Sequence, residues 1–94
     1  MRIHFYATLR PSADGKTLQL DLTPPVTVYQ VLQRATELKP KLDAELWDEK
    51  RQLHDHIKVF VNGRELAYLP QGIETILKET DELDVFPPVG GGAR

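Results

Sequence analysis

The sequence predicts an α+β domain in which one main helix packs on one face of a mixed β-sheet. Three observations point there. Short segments alternate apolar and polar residues with a period of two, and one stretch carries apolar residues at helical spacing behind a capping motif. The order along the chain is strand, strand, helix, two strands, final strand. At 94 residues the chain is long enough for one domain and too short for two. Residues 1–89 read as that domain and residues 90–94 as a flexible tail.

The first strand is expected over Arg2 to Leu9, with Ile3, Phe5, Ala7 and Leu9 on one face and Arg2, His4, Tyr6 and Thr8 on the other. Pro11 is expected to end it, and Asp14-Gly15 reads as a turn. Lys16 to Leu22 repeats the alternation, so the two runs suggest a hairpin with a long loop. Pro24-Pro25 stops the second run. Thr27 and Gln30 have capping-box spacing, and Val28, Val31, Leu32, Ala35 and Leu38 form an apolar stripe behind them, up to Pro40. Residues 41 to 56 mix Leu42, Leu46, Trp47 and Leu53 with dense charge, and a short helix or an ordered loop fits them equally well. Ile57 to Val61 is a strand. Asn62-Gly63 is a strong hairpin signal, because both central residues of a type I′ turn need positive φ. Glu65 to Tyr68 returns as its partner, and Glu82 to Phe86 is the last strand, closed by Pro87-Pro88.

Composition removes several classes of chemistry. The chain has no cysteine, which excludes disulfides, thiolate-bound zinc, Cys-ligated clusters and a cysteine nucleophile. Twelve basic residues against 14 acidic ones give a net charge of −2, without the electrostatic footprint of a nucleic-acid binder. No apolar run approaches the roughly 18 residues needed to span a bilayer, so no membrane partner is expected and the cytoplasm is the expected address. His54-Asp55-His56 invites a metal reading, but two imidazoles fall short of the four ligands that a closed zinc site takes, so no metal site is expected. Ser12 lacks the glycines of a nucleophile elbow. The carboxylate pairs Asp43/Glu45 and Asp81/Glu82 read as solvated surface. No side chain of the folded body looks catalytic.

The tail is the exception. Gly90, Gly91 and Gly92 add nothing to a core and cost backbone entropy if ordered, which on composition alone describes a frayed terminus. The same absence of Cβ atoms would let the strip enter a channel too narrow for side chains. From Pro87 to Gly92 an extended chain spans up to about 20 Å, enough to deliver a terminal carboxylate into a partner's active site.

The helix, the run IKVFVNGR at residues 57–64, the run LKETDELDVFPPV at 77–89 and the glycine tail resemble the MoaD/ThiS family of ubiquitin-like sulfur carriers, with the nearest likeness to the molybdopterin synthase small subunit. The likeness covers nearly the whole chain and is weakest over residues 41–56. It implies a β-grasp fold and a carrier, not an enzyme. It also implies that Gly92, with Gly91 before it, is the reactive end: a MoeB-like enzyme uses ATP to adenylate the Gly92 carboxylate, and sulfur transfer makes a thiocarboxylate. A MoaE-like large subunit then uses that sulfur to build the dithiolene of molybdopterin. No permanently bound cofactor is implied. Related carriers serve tRNA thiolation or thiamine synthesis or modify lysines, and a non-covalent ubiquitin-like module is a further alternative. Ala93-Arg94 depart from the family ending, which implies trimming by a peptidase to expose Gly92.

Strand phase supplies a separate expectation. Tyr6, Phe60 and Phe86 fall on the phase opposite Phe5, Val59, Val61 and Val85, so three aromatics would share the face that the helix leaves open, and exposed apolar patches mark interfaces. The family resemblance implies that this face, continued by Pro87, Pro88, Val89 and Gly90 and flanked by Arg10 and Arg64, docks both partners.

Overall fold

The computed structural model describes residues 1–88. The expected boundary between residues 89 and 90, and Val89, Gly90, Gly91 and Gly92, lie outside the described residues.

β1 covers Arg2–Phe5, shorter than the expected strand to Leu9. Ala7 takes a φ of 52°, which turns the chain out of the extended region. A one-turn helix α1, Leu9–Ala13, follows. Pro11 therefore does not end a strand. It sits in the first turn of a helix, where its missing N–H would have had no intrahelical partner. Leu9 does reach the core, but from the helix, whereas Ala7 is exposed. β2 is trimmed to Thr17–Gln19 and pairs antiparallel with β1, Ile3 opposite Leu18, so the expected pairing holds with a helix inside its connection.

β3 is the pair Val26–Thr27, directly before α2, Val28–Leu38. The capping box is complete. The Gln30 N–H donates to Thr27 Oγ1 at 3.1 Å, and the Thr27 N–H donates to Gln30 Oε1 at 2.8 Å. Val28, Val31, Leu32 and Ala35 are fully buried, while Leu38, expected in the stripe, is 43% exposed at the helix end. Both readings of residues 41–56 hold in part. A 3-10 turn at Pro40–Leu42 leads into α3, Asp43–Leu46, and an ordered loop follows in which Trp47 bridges to Leu53.

β4, Lys58–Val61, and β5, Arg64–Glu65, form the expected hairpin, with φ of 50° at Asn62 and 86° at Gly63. β5 lasts only two residues, because Leu66–Tyr68 winds into a 3-10 turn where a strand was expected. β6, Ile76–Leu77, pairs with β3 in a separate two-stranded sheet that no alternation announced. β7, Glu82–Phe86, is the last strand in the chain and the central one in space.

The main sheet runs β2-β1-β7-β4-β5, with β1 and β7 parallel and the other pairs antiparallel. Its inner face carries Ile3, Phe5, Val59, Val61, Leu83 and Val85, which join Val31, Leu32 and Ala35 of α2 in one buried cluster. Each such side chain contributes roughly 1.5–3 kcal/mol by leaving water. With its helix on one face of a mixed sheet, the domain has the β-grasp arrangement. Among the described residues no helix is long and apolar enough to cross a membrane.

Candidate docking face

Because neighbours on a strand point to opposite sides, burying Ile3, Phe5, Leu83, Val85 and Val59 forces Arg2, His4, Glu82, Asp84, Phe86 and Phe60 onto the uncovered face. The register sets their neighbours. His4 lies beside Asp84 across the β1–β7 pair, and Phe60 beside Asp84 across the β4–β7 pair.

At one end of this face the aromatics meet. The Tyr6 ring stacks on Phe86 with centroids 4.2 Å apart and planes 8° from parallel, and Phe60 meets Phe86 edge-on at 5.4 Å. All three rings are half-buried. Tyr6 lies just beyond β1, yet its N–H still donates to the Val85 carbonyl at 3.2 Å. Its hydroxyl donates to Asp84 Oδ1 at 2.9 Å. That hydrogen bond, then burial and the Asp84 charge, push the Tyr6 phenol above its ordinary value, against the opposing pull of Arg10. The Arg10 guanidinium carbon sits 5.5 Å from the Tyr6 ring centroid, anchored by Nε donating to the Phe5 carbonyl at 3.0 Å. From Phe86 the chain leaves through Pro87, which is buried, and Pro88, which is exposed.

A polar row fills the other end. Glu82 accepts from Arg2 at 2.5 Å and pairs with His4 Nε2 at 2.6 Å, and His4 Nδ1 lies 2.9 Å from Thr17 Oγ1. Hydrogen bonding to His4 first, then to Arg2, holds the Glu82 carboxyl below the usual carboxylate range, with burial opposing.

The structure thus brings Tyr6, Phe60, Phe86 and Arg10 together at the strand end where Pro87 and Pro88 begin. Arg64 stands apart. It pairs with Val61 at the far end of β4, three residues from Lys58, which pairs with Phe86. The residue across from Phe60 is Glu65.

His54 and His56 do not lie on a strand. A turn brings their rings onto one side, stacked with centroids 4.9 Å apart. Among the described residues no group of three His, Asp or Glu side chains could hold a metal ion. Ser12 lies in α1, not in a loop, and its hydroxyl is bound to Glu45. The carboxylates taken for plain solvated surface are each engaged: Asp43 with Arg51 and Asp81 with Asn62, beside the Glu82 row. Local patterning missed Asp84 and the His4–Glu82 pair. The alternation does put them on the open face, but their partners come from the parallel β1–β7 register, which no short-range signal encodes.

Known proteins with this architecture resemble it in sequence. The sequence model of the ThiS family matches residues 3–92. Small archaeal modifier protein 3 of Haloferax volcanii is 34% identical over 92 residues, covering 98% of both chains. Small archaeal modifier protein 1 of the same organism is 33% identical over 92 residues, covering 98% of this chain and 100% of its own. The crystal structure of SAMP1 from Haloferax volcanii superposes with a TM-score of 0.86 at 29% identity, covering 98% of each chain.

Proposed function

Because this chain belongs to the ThiS family of ubiquitin-like proteins, we propose that it is a covalent carrier whose working group is the Gly92 carboxylate, delivered into partner active sites by the strip Gly90-Gly91-Gly92. A carboxylate is a poor electrophile. An adenylating enzyme of MoeB type joins it to AMP and releases pyrophosphate from ATP. Sulfide sulfur then attacks the acyl carbon, AMP leaves, and a thiocarboxylate remains. The chain supplies the electrophile and the docking face, and the partner supplies the catalysis. Exposing Gly92 requires hydrolysis of the Gly92–Ala93 peptide bond by a peptidase.

The observation that carries this reading is the position of the aromatic cluster. Tyr6, Phe60 and Phe86 lie at the C-terminal end of β7, where the chain runs on through Pro87-Pro88 toward the glycines. A partner seated on those rings has the tail root within its footprint. Within about 20 Å, the extended reach from Pro87 to Gly92, it can place an active site.

For the sulfur's destination, the run Phe-Pro-Pro-Val at residues 86–89 supports the dithiolene of molybdopterin, delivered through a large subunit of MoaE type. The names of the two Haloferax volcanii relatives support a second reading, in which the same activated carboxyl is transferred to lysine amines of other proteins. tRNA thiolation and thiamine synthesis would draw on the same thiocarboxylate. All share the activation step. Deleting residues 90–94 tests the common part, since a covalent carrier loses all activity and a non-covalent module retains its partner binding. Supplying the trimmed chain to extracts lacking molybdopterin separates the destinations. Restored cofactor supports the first, and isopeptide-linked adducts without cofactor support the second.

A further inference from the structure

The open face carries three carboxylates, and the structure treats them differently. Glu82 is met by Arg2 and His4, and Glu65 lies 3.5 Å from Lys58 Nζ. Among the described residues Asp84 has no cationic partner. Its one side-chain hydrogen bond comes from the neutral Tyr6 hydroxyl, to Oδ1. It is half-buried on the central strand, with Phe60 across from it on one side, Phe86 two residues on and Tyr6 on its hydroxyl bond, while His4, its neighbour on the other side, has both ring nitrogens engaged by Glu82 and Thr17. Asp is disfavoured in strands, and a charge held among aromatic rings is destabilising unless it is paired. Stability alone would select a β-branched residue here, and local rules broken without a local gain mark functional positions.

We propose that Asp84 is the docking point for a guanidinium of the protein partner, an arginine carried within an otherwise apolar patch. The inference rests on the docking-face reading above and names what that face recognises. A partner that covers the aromatics removes the remaining water from Asp84, leaving Oδ2 without a donor. A buried unpaired carboxylate would oppose binding, so a matching partner brings its own donor and charge. Arginine fits better than lysine, because a planar guanidinium can lie against Phe60 or Phe86 while its N–H groups reach the carboxylate. The same carboxylate would reject partners that offer a purely apolar patch.

The test titrates the full-length chain into the adenylating enzyme of its own organism by calorimetry, at low and at elevated salt. Asp84→Asn keeps the shape and the acceptor for Tyr6 and removes only the charge. The expected result is that Asp84→Asn and Asp84→Ala each weaken binding by about tenfold to a hundredfold, as loss of a charge-assisted hydrogen bond does. Wild-type affinity should also fall more steeply with salt than that of Asp84→Asn. Glu37→Gln, which removes one negative charge from the exposed side of α2 and leaves the open face untouched, should bind within about twofold of wild type. Wild-type affinity in Asp84→Asn would overturn the inference and reduce Asp84 to holding the Tyr6 ring. Phe60→Asp separates the two levels. If it abolishes binding while Asp84→Asn does not weaken it, only the guanidinium site falls. If neither variant weakens binding, the docking face itself falls.

Discussion

Tyr6 lies flat on Phe86, 4.2 Å between centroids and 8° from parallel, although the two residues are eighty positions apart in the chain. Phe86 also receives the edge of Phe60, with the planes at 79°. It is therefore the hub through which rings from β4, β7 and the residue that follows β1 act as one surface. Phe86→Ala removes both ring contacts and should cost about 1–3 kcal/mol of stability, since each aromatic pair is worth about 0.5–1.5 kcal/mol beyond its area. Central aromatic anchors of interfaces lose about 2 kcal/mol or more on truncation, so affinity for the adenylating enzyme should fall well over tenfold. Urea unfolding and calorimetric titration check the two halves. Unchanged affinity in a folded variant would remove the aromatic cluster from the interface.

The helix start makes a prediction about stability alone. Thr27 Oγ1 accepts the Gln30 N–H while Gln30 Oε1 accepts the Thr27 N–H, so Thr27→Ala leaves one orphan donor in the first turn of α2. The expected cost is about 1 kcal/mol, read as a lower urea midpoint with an unchanged slope. Partner affinity should not move, because α2 packs on the covered face of the sheet.

What was legible in the chain was what is encoded locally. The capping box at Thr27 and Gln30, the positive-φ pair Asn62-Gly63 and the shared phase of Tyr6, Phe60 and Phe86 are short-range patterns, and each stands in the structure. Errors came where two periods coincide or where a turn is made without glycine. Leu9 is apolar in phase with Ile3 and Phe5, yet Ala7 at a φ of 52° has already left the strand, and Leu9 reaches the core as the first residue of α1. The loop after Trp47 is shaped by Asp48 Oδ1 accepting the N–H groups of Lys50 and Gln52, a side-chain choice that hydrophobic patterning does not see. The Tyr6–Asp84 and His4–Glu82 contacts depend on the parallel pairing of the first and last strands, which only the assembled sheet defines.

The polar row gives a pH dependence with a definite sign. His4 and Arg2 hold the Glu82 carboxyl below its ordinary value of 4.5, so the native state favours the ionised form. Its contribution is complete above the unfolded pKa and is lost as the pH falls through the lower, native one. Glu82→Gln should therefore be less stable than wild type at neutral pH, and the gap should close in the acid range below the ordinary carboxylate pKa. Urea midpoints of both proteins, followed from neutral pH downward, check it. A gap that stays constant with pH would mean that Glu82 acts through packing and not through its charge.

The tail chemistry makes the last prediction, and it turns on which carboxyl is activated. If the carrier reading holds, an adenylating enzyme with ATP and a sulfur source acts only on a chain that ends at Gly92, because only there is the carboxylate flanked by residues without side chains. A chain ending at Arg94 should give no adenylate. One ending at Gly92 should gain the mass difference between sulfur and oxygen, read by intact-mass spectrometry. Gly91→Val in the trimmed chain adds a branched side chain next to the reacting residue. It should block the mass shift while leaving calorimetric affinity near that of the unmodified tail, since docking rests on the Tyr6–Phe86–Phe60 cluster and reaction on passage through the channel. Sulfur found on the chain ending at Arg94 would remove the need for a trimming peptidase. Absence of sulfur on every form, with tight binding retained, would leave a non-covalent ubiquitin-like module as the function.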